Sequence, residues 1–92
     1  MNDIIISFIT VNYNGLGDTI ELVTSIKNTI KSFSYEIIVV DNGSRKDEIT
    51  PLKDLFNDVH FIKSEKNLGF AGGNNLGVEI TKGKYLFFIN ND

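Results

Sequence analysis

The chain has 92 residues, enough for one small domain with a thin hydrophobic core. Its 41% hydrophobic and 23% charged residues are typical of a globular protein and not of a disordered segment. The net charge of −3 disfavours nucleic-acid binding, and the lack of cysteine excludes disulfides and thiolate chemistry. Because no apolar run is long enough to cross a membrane and no signal peptide is visible, we expect a cytoplasmic protein.

The first half of the chain predicts two strands separated by a helix. Residues 4–11 (IIISFITV) are almost continuously apolar and β-branched, which indicates a strand buried on both faces. The turn-forming residues 12–17 end it, and apolar side chains at helical spacing then predict a helix over residues 18–33. Asp18 is in a position to cap this helix. Residues 36–40 (EIIVV) predict a second buried strand.

The second half of the chain continues the alternation. A helix is predicted over residues 48–57, followed by a short strand at residues 59–63. A glycine-containing helix over residues 70–82 precedes a fourth strand at residues 84–89 (KYLFFI). The two phenylalanines of this strand are expected to face opposite sides of the sheet as part of the core.

The strict alternation of strands and helices predicts an α/β protein with a mostly parallel sheet. Right-handed crossovers favour the strand order 3-2-1-4, with the first two helices on one face and the third on the other. We therefore predict one Rossmann-like, three-layer domain over residues 1–92. Ligands of such sheets bind beyond the carboxyl ends of the strands, which points to residues 12–17, 41–44 and 90–92.

The residues at these strand ends suit nucleotide binding. Asp41 follows the second strand, where a carboxylate commonly accepts hydrogen bonds from a ribose or a base, although its surroundings are equally suited to a turn. Neither the dinucleotide fingerprint nor the P-loop is present, so phosphates need the helix entry at residues 69–73 or a divalent cation. Asn90 and Asp92 offer the hard oxygen ligands that Mg²⁺ and Mn²⁺ prefer.

Four segments together resemble, in order and spacing, the motifs of family 2 glycosyltransferases, the inverting GT-A enzymes that use nucleotide-sugar donors. They are VNYNG at 11–15, VVDNGS at 39–44, NLGFAGGNNLG at 67–77 and GKYLFFINND at 83–92. The last segment is similar to the family pattern that ends in the metal-binding D-x-D motif, with Asn90 in place of the first Asp. This N-x-D variant resembles a subgroup that includes rhamnosyltransferases.

The resemblance implies hexosyl or rhamnosyl transfer from a UDP- or dTDP-sugar in glycan or cell-surface polysaccharide synthesis. It implies that Asp92 and Asn90 bind Mg²⁺ or Mn²⁺ on the donor diphosphate, and that the acceptor is a glycan or a lipid-linked molecule. A lipid-linked acceptor would bring the protein to the inner face of the membrane. The nucleotide-sugar-binding residues that the resemblance implies are Val11, Asn12, Tyr13, Asn14, Asp41, Asn42, Gly43, Ser44, Asn67, Gly69, Asn74, Asn75 and Asn91.

The family's general base lies downstream of the D-x-D motif. The resemblance therefore implies that this chain is the donor-binding part of an enzyme, truncated at the metal motif and inactive alone. The alternative is a nucleotide-binding or regulatory module without catalysis. The fourth strand would have an open outer edge, and its apolar sequence predicts dimerisation or aggregation through that edge.

Overall fold

A computed structural model describes residues 3–90 and confirms the predicted alternation of strands and helices. The structure has four strands and three helices in this range. In chain order they are β1 (Ile6–Asn12), α1 (Leu16–Thr29), β2 (Tyr35–Asn42), α2 (Ile49–Leu55), β3 (His60–Ser64), α3 (Gly69–Val78) and β4 (Tyr85–Phe88). Within residues 3–90, no helix has the length and apolar character needed to cross a membrane.

The sheet has the predicted strand order β3-β2-β1-β4, and every pairing is parallel. At the amino-terminal end of β1, Ile6 pairs with Tyr35 on one side and with Tyr85 on the other. At the other end, Asn12 pairs with Asp41, so the polar ends of β1 and β2 lie side by side. All four strands therefore direct their carboxyl ends to the same edge, as expected for a ligand-binding α/β sheet.

Side chains alternate along β1 and β2 and thereby form two hydrophobic layers. On one face, Phe8 and Ile37 pack with Val23 of α1 and Leu52 of α2. On the other face, the buried cluster of Ile9, Ile38 and Val40 packs against Leu76 and Val78 of α3. This arrangement confirms the prediction of α1 and α2 on one face and α3 on the other.

Gly77 allows α3 to pack closely on the sheet. A Cβ atom at this position would lie 2.6 Å from Ile9 Cγ2 and 3.2 Å from Val40 Cγ2. A larger residue would therefore collide with two β-branched side chains that have little rotamer freedom. The close approach holds the amino-terminal end of α3 over the carboxyl ends of β1 and β2.

Two details of the helices differ from the prediction. α1 begins at Leu16, before Asp18, and its N-cap Gly15 makes no side-chain capping bond, so the assignment of Asp18 as the cap is wrong. α3 ends at Val78, earlier than predicted, and the chain from residue 79 onward returns towards β4. α2 does have an acidic residue at its start. The Asp47 carboxylate accepts hydrogen bonds from Thr50 and Ile49, and these bonds, chiefly that from the Thr50 side chain, lower the pKa of Asp47.

β4 is far more exposed than its sequence predicts. Phe87 is 54% exposed and Phe88 is 46% exposed, so the expectation that both belong to the core is wrong. Phe87 still packs on Phe8, with the ring centroids 5.6 Å apart. The exposure arises because β4 packs mainly against β1, whereas the other edge strand, β3, also packs against α2 and α3.

Polar contacts hold the amino-terminal edge of the sheet. Glu36 is buried, and its Oε2 accepts hydrogen bonds of 2.6 Å from Ser7 Oγ and from Lys82 N. The Ser7 hydroxyl accepts a further bond from Gly83 N at 2.8 Å, which fixes the connection between α3 and β4. This set of bonds lies at the edge opposite the predicted ligand site.

Candidate functional site

A pocket of about 400 Å³ opens at the carboxyl-terminal edge of the sheet. Its walls come from the end of β1 and the start of α1, from the end of β2, and from the loop that enters α3. The lining residues are Val11, Tyr13, Asn14, Gly15, Asp18, Asn42, Asn67, Gly69 and Phe70. The pocket thus lies where parallel α/β sheets bind their ligands.

Asn12 lies beneath this pocket and joins three segments. Its side chain is fully buried, and Nδ2 donates to Asp41 Oδ1 and to Glu48 Oε1, both at 2.9 Å. Thr19 Oγ1 donates to Asn12 Oδ1 at 2.7 Å, which orients the amide so that its nitrogen faces the two carboxylates. One amide group therefore connects β1 with α1, with β2 and with the start of α2.

Asp41 is also buried, with 2% exposure, and it does not line the pocket. Its Oδ1 accepts a 2.6 Å bond from Ser44 Oγ in addition to the bond from Asn12, and its Oδ2 accepts a bond from Ser44 N at 3.2 Å. Asp41 thus closes the turn after β2. Its predicted contact with the nucleotide stays a prediction.

Asn14 connects the first loop to the second. It has a φ of 52°, in the left-handed region that asparagine tolerates better than most residues. Its backbone N–H donates to Ser44 Oγ at 2.9 Å, and its Oδ1 accepts a bond from Arg45 N at 2.9 Å. These bonds fix the backbone that carries Tyr13 and Asn14 to the pocket wall.

Asn42 connects β2 to the loop before α3. Its Oδ1 accepts a bond from Leu68 N at 3.0 Å, while its Nδ2 donates to Asn67 Oδ1 at 3.1 Å and to Gly69 O at 3.0 Å. The neighbouring Gly43 has a φ of 83°, and a Cβ there would lie 2.7 Å from the carbonyl carbon of Lys66. Only glycine fits this position, because both the backbone conformation and the space exclude a side chain.

The upper walls of the pocket are aromatic and acidic. Tyr13 is 48% exposed and Phe70 is 61% exposed, so neither ring belongs to the core. Asp18 contributes a carboxylate from the first turn of α1. Among the described lining residues there is no Lys, Arg or His. Such walls suit a planar, uncharged ligand group with hydrogen-bond donors better than they suit a phosphate.

The structure brings most of the predicted nucleotide-sugar residues to this edge. Val11, Tyr13, Asn14, Asn42, Asn67 and Gly69 line the pocket, and Asn12, Asp41, Gly43 and Ser44 support it from beneath or beside it. Asn74 and Asn75 lie in α3 outside the lining set, with Asn74 buried and Asn75 exposed. Asn91 is outside the described residues. Whether these residues contact a ligand stays a prediction.

Sequence reasoning missed one lining residue, Asp18, and two supporting ones, Thr19 and Glu48, which bond to Asn12. Gly15 and Phe70 also line the pocket, and they fall within the predicted ligand segments 12–17 and 69–73. The position of Asp18, three residues after the turn glycine Gly15, is a signal that its carboxylate could lie at the pocket. The same position also suits a helix cap, which is the interpretation that the sequence favours. Nothing in the sequence pattern distinguishes Thr19 and Glu48 from other helix-start residues.

The predicted metal ligands lie at the end of β4. The pairing of Phe88 with Ile9 continues in a hydrogen bond from Ile89 N to Ile9 O of 2.9 Å, so the exposed Asn90 comes level with the end of β1. Its amide oxygen is a hard donor of the kind that Mg²⁺ and Mn²⁺ accept, and it lies at the same edge as the pocket. Asp92 is outside the described residues. Within residues 3–90, no three His, Cys, Asp or Glu side chains form a metal-binding group of their own.

Comparisons of the sequence with known proteins identify relatives that are named glycosyltransferases. The model of the family described as glycosyl transferase family 2 matches residues 7–92. An uncharacterized glycosyltransferase of Rickettsia conorii is 37% identical over 95 residues, which covers 100% of this chain and 15% of that protein. The poly(ribitol-phosphate) beta-N-acetylglucosaminyltransferase TarP of Staphylococcus aureus is 32% identical over 94 residues, which covers 95% of this chain and 28% of TarP.

Comparison of the structure with solved structures agrees on the fold. A crystal structure of S. aureus TarS residues 1–349 superimposes with a TM-score of 0.83 at 22% identity, covering 97% of this chain and 28% of the crystallised TarS chain. TarS has also been solved in complex with UDP and with UDP-GlcNAc. In each of these comparisons, the chain spans less than a third of the other protein.

Proposed function

Because the chain belongs to glycosyl transferase family 2, we propose that it forms the donor-binding part of a glycosyltransferase that uses a nucleoside-diphosphate sugar. The observation that carries this proposal is the pocket at the carboxyl ends of β1 and β2, between Tyr13 and the start of α3. Its aromatic and amide walls suit the base and ribose of a nucleotide.

The pocket would bind the nucleoside, and the diphosphate would lie outside it. Tyr13 offers an exposed ring for stacking on the base, and the amides of Asn14 and Asn67 offer hydrogen-bond donors and acceptors. No cationic side chain lines the pocket within residues 3–90, so the charge of the diphosphate needs another partner. The end of β4 lies at the same edge of the sheet, and its Asn90 offers an amide oxygen of the kind that divalent cations accept.

Asn90 and Asp92 would bind Mg²⁺ or Mn²⁺ together with the diphosphate. One carboxylate and one amide bind a divalent cation weakly, so the diphosphate oxygens would have to complete the coordination shell. The bound cation would stabilise the negative charge that develops on the departing nucleoside diphosphate during sugar transfer. The chain's own residues would hold the nucleoside and orient the anomeric carbon towards the acceptor.

We propose UDP as the nucleotide of the donor. TarP is named for the transfer of N-acetylglucosamine to poly(ribitol-phosphate), and TarS has been solved with UDP and UDP-GlcNAc. These names favour a uridine nucleotide over dTDP, and they favour a cell-surface polymer or glycan as the acceptor. For the transferred sugar we propose either a hexose or a rhamnose, since the N-x-D sequence at 90–92 is compatible with both.

Isothermal titration calorimetry with the 92-residue chain tests this function. We expect UDP with Mn²⁺ to bind more tightly than dTDP or ADP. The Tyr13→Ala variant should weaken UDP binding by about tenfold or more, since stacking on an aromatic side chain contributes about 1–3 kcal/mol. Tyr85→Ala is the matched control, because Tyr85 is similarly exposed but pairs with Ile6 at the opposite edge of the sheet. The proposal fails if no nucleotide produces heat at millimolar concentration, or if both variants weaken UDP binding equally.

A further inference from the structure

We propose that Asp18 is a specificity-determining residue of the pocket, whose carboxylate accepts hydrogen bonds from the ribose hydroxyls of the nucleotide. The inference rests on the proposed function, because it assigns a ligand group to one side chain of the donor pocket. The sequence pattern favours Asp41 as the residue that binds the ribose, and it favours Asp18 as a helix cap. The geometry of the two side chains favours a different distribution of roles.

Asp18 is the carboxylate that the pocket exposes. Asp41 is 2% exposed and is held by Asn12 and Ser44, and the Glu48 carboxylate accepts a bond from Asn12 beneath the pocket. Asp18 is exposed and lines the pocket, and its carboxylate accepts no hydrogen bond from the described part of the chain. Its two oxygens are therefore available to a ligand.

The charge of the pocket indicates which ligand group lies against Asp18. Asp18 is the only carboxylate among the described lining residues, and no cation balances it there. A phosphate placed beside it would be repelled, whereas a neutral group that donates hydrogen bonds would be attracted. A ribose carries two adjacent hydroxyls, and the two oxygens of a carboxylate can accept both of them.

Asp18 lies in the first turn of α1. It is the third residue of a helix of 14 residues, and negative charge is stabilised near a helix N-terminus. The same helix is anchored from beneath by the bond from Thr19 to Asn12. Asp18 is thus a hydrogen-bond acceptor on an anchored helix, which is what selection between hydroxylated and deoxygenated sugars requires.

The test compares uridine with 2′,3′-dideoxyuridine, which lacks both ribose hydroxyls. Each is titrated by NMR chemical-shift perturbation into the 92-residue chain, without divalent cations, for the wild type, Asp18→Asn and Asp18→Ala. We expect both variants to weaken uridine binding by about tenfold, because hydrogen bonds to a charged acceptor contribute most to such discrimination. Binding of dideoxyuridine should change less than twofold. The NMR spectra also report whether each variant is folded.

Glu21→Gln is the matched control, since Glu21 is an exposed acidic residue in the same helix but outside the pocket. It should change neither affinity. Equal weakening of uridine and dideoxyuridine by Asp18→Asn would overturn the inference, and so would an unchanged uridine affinity. An effect of Asp18→Asn on UDP that appears only with Mn²⁺ would also overturn it, because it would assign Asp18 to the metal. In each of these results the wild type still binds uridine through Tyr13, so only the inference about Asp18 fails and the proposed function stands. If the wild type binds neither uridine nor UDP, both proposals fail.

Discussion

At the scale of single residues, three asparagines at the strand ends bond mainly to other parts of the protein. Asn12 joins two carboxylates, Asn14 joins the first two loops, and Asn42 joins the second loop to the third. An amide is suited to this task because it carries donors and an acceptor on one short, uncharged group. The polar residues at the strand ends therefore shape the pocket. Some of them line it, and the others hold its walls in place.

Asn12 provides the sharpest test of this role. The Asn12→Ala variant removes the donor shared by Asp41 and Glu48 and the acceptor of Thr19 Oγ1, so each of these three side chains loses one hydrogen bond. We expect the free energy of unfolding to fall by about 1–3 kcal/mol, measured by urea denaturation. Asn28→Ala, at an exposed position of α1, should change it by less than about 0.5 kcal/mol. A loss no larger in Asn12→Ala than in Asn28→Ala would contradict the role of this network.

At the scale of elements, the position of α3 is set by small residues in contact with the sheet. Gly73 lies against Val11, where an added Cβ would be 3.0 Å from Val11 Cγ2, and Gly77 lies against Ile9. The helix contains four residues, GGNN, that neither bury large apolar surfaces nor favour helix formation strongly. Its stability therefore depends on this close packing, and the packing places Gly69 and Phe70 at the pocket.

The same substitution at two helical glycines should have opposite effects. Gly77→Ala forces a Cβ to within 2.6 Å of Ile9 Cγ2, and we expect it to destabilise the fold by about 1–3 kcal/mol. Gly17→Ala, in α1, meets no atom within 4 Å, and alanine is the better helix former, so we expect a gain of about 0.5 kcal/mol. Thermal denaturation followed by circular dichroism measures both. Two changes of the same sign would contradict this account of how α3 packs.

The sequence predicts the elements and their order because hydrophobic periodicity is a local signal. The runs of β1 and β2, and the spacing of Val23 and Ile26 in α1, carry that signal directly. The pocket is less predictable, because it depends on which polar side chains bond to one another across the sheet edge. Asp18 and Asp41 have the same chemistry in the sequence, and only the three-dimensional structure distinguishes the exposed carboxylate from the buried one.

At the scale of the whole molecule, the two edge strands of the described sheet differ in their surroundings. β3 carries Lys63, a charged and exposed residue of the kind that discourages pairing with another chain. β4 carries four exposed side chains with no charge among them, Tyr85, Leu86, Phe87 and Phe88. Exposed apolar edge strands of this kind are templates for pairing with a further strand.

We expect the 92-residue chain to self-associate through β4. Sedimentation velocity should show an average mass that rises with protein concentration above that of the 10.3 kDa monomer. Phe88→Lys places a charge on the exposed strand and should shift the protein towards monomer by about tenfold or more in dissociation constant, because edge lysines oppose strand pairing. Leu55→Lys is the matched control, since Leu55 is 58% exposed but lies in α2, away from β4. A stable wild-type monomer at millimolar concentration, or an equal effect of the two lysine variants, would show that β4 is not the contact surface. A weaker association in Phe88→Lys alone would identify β4 as the edge through which two copies of the chain pair.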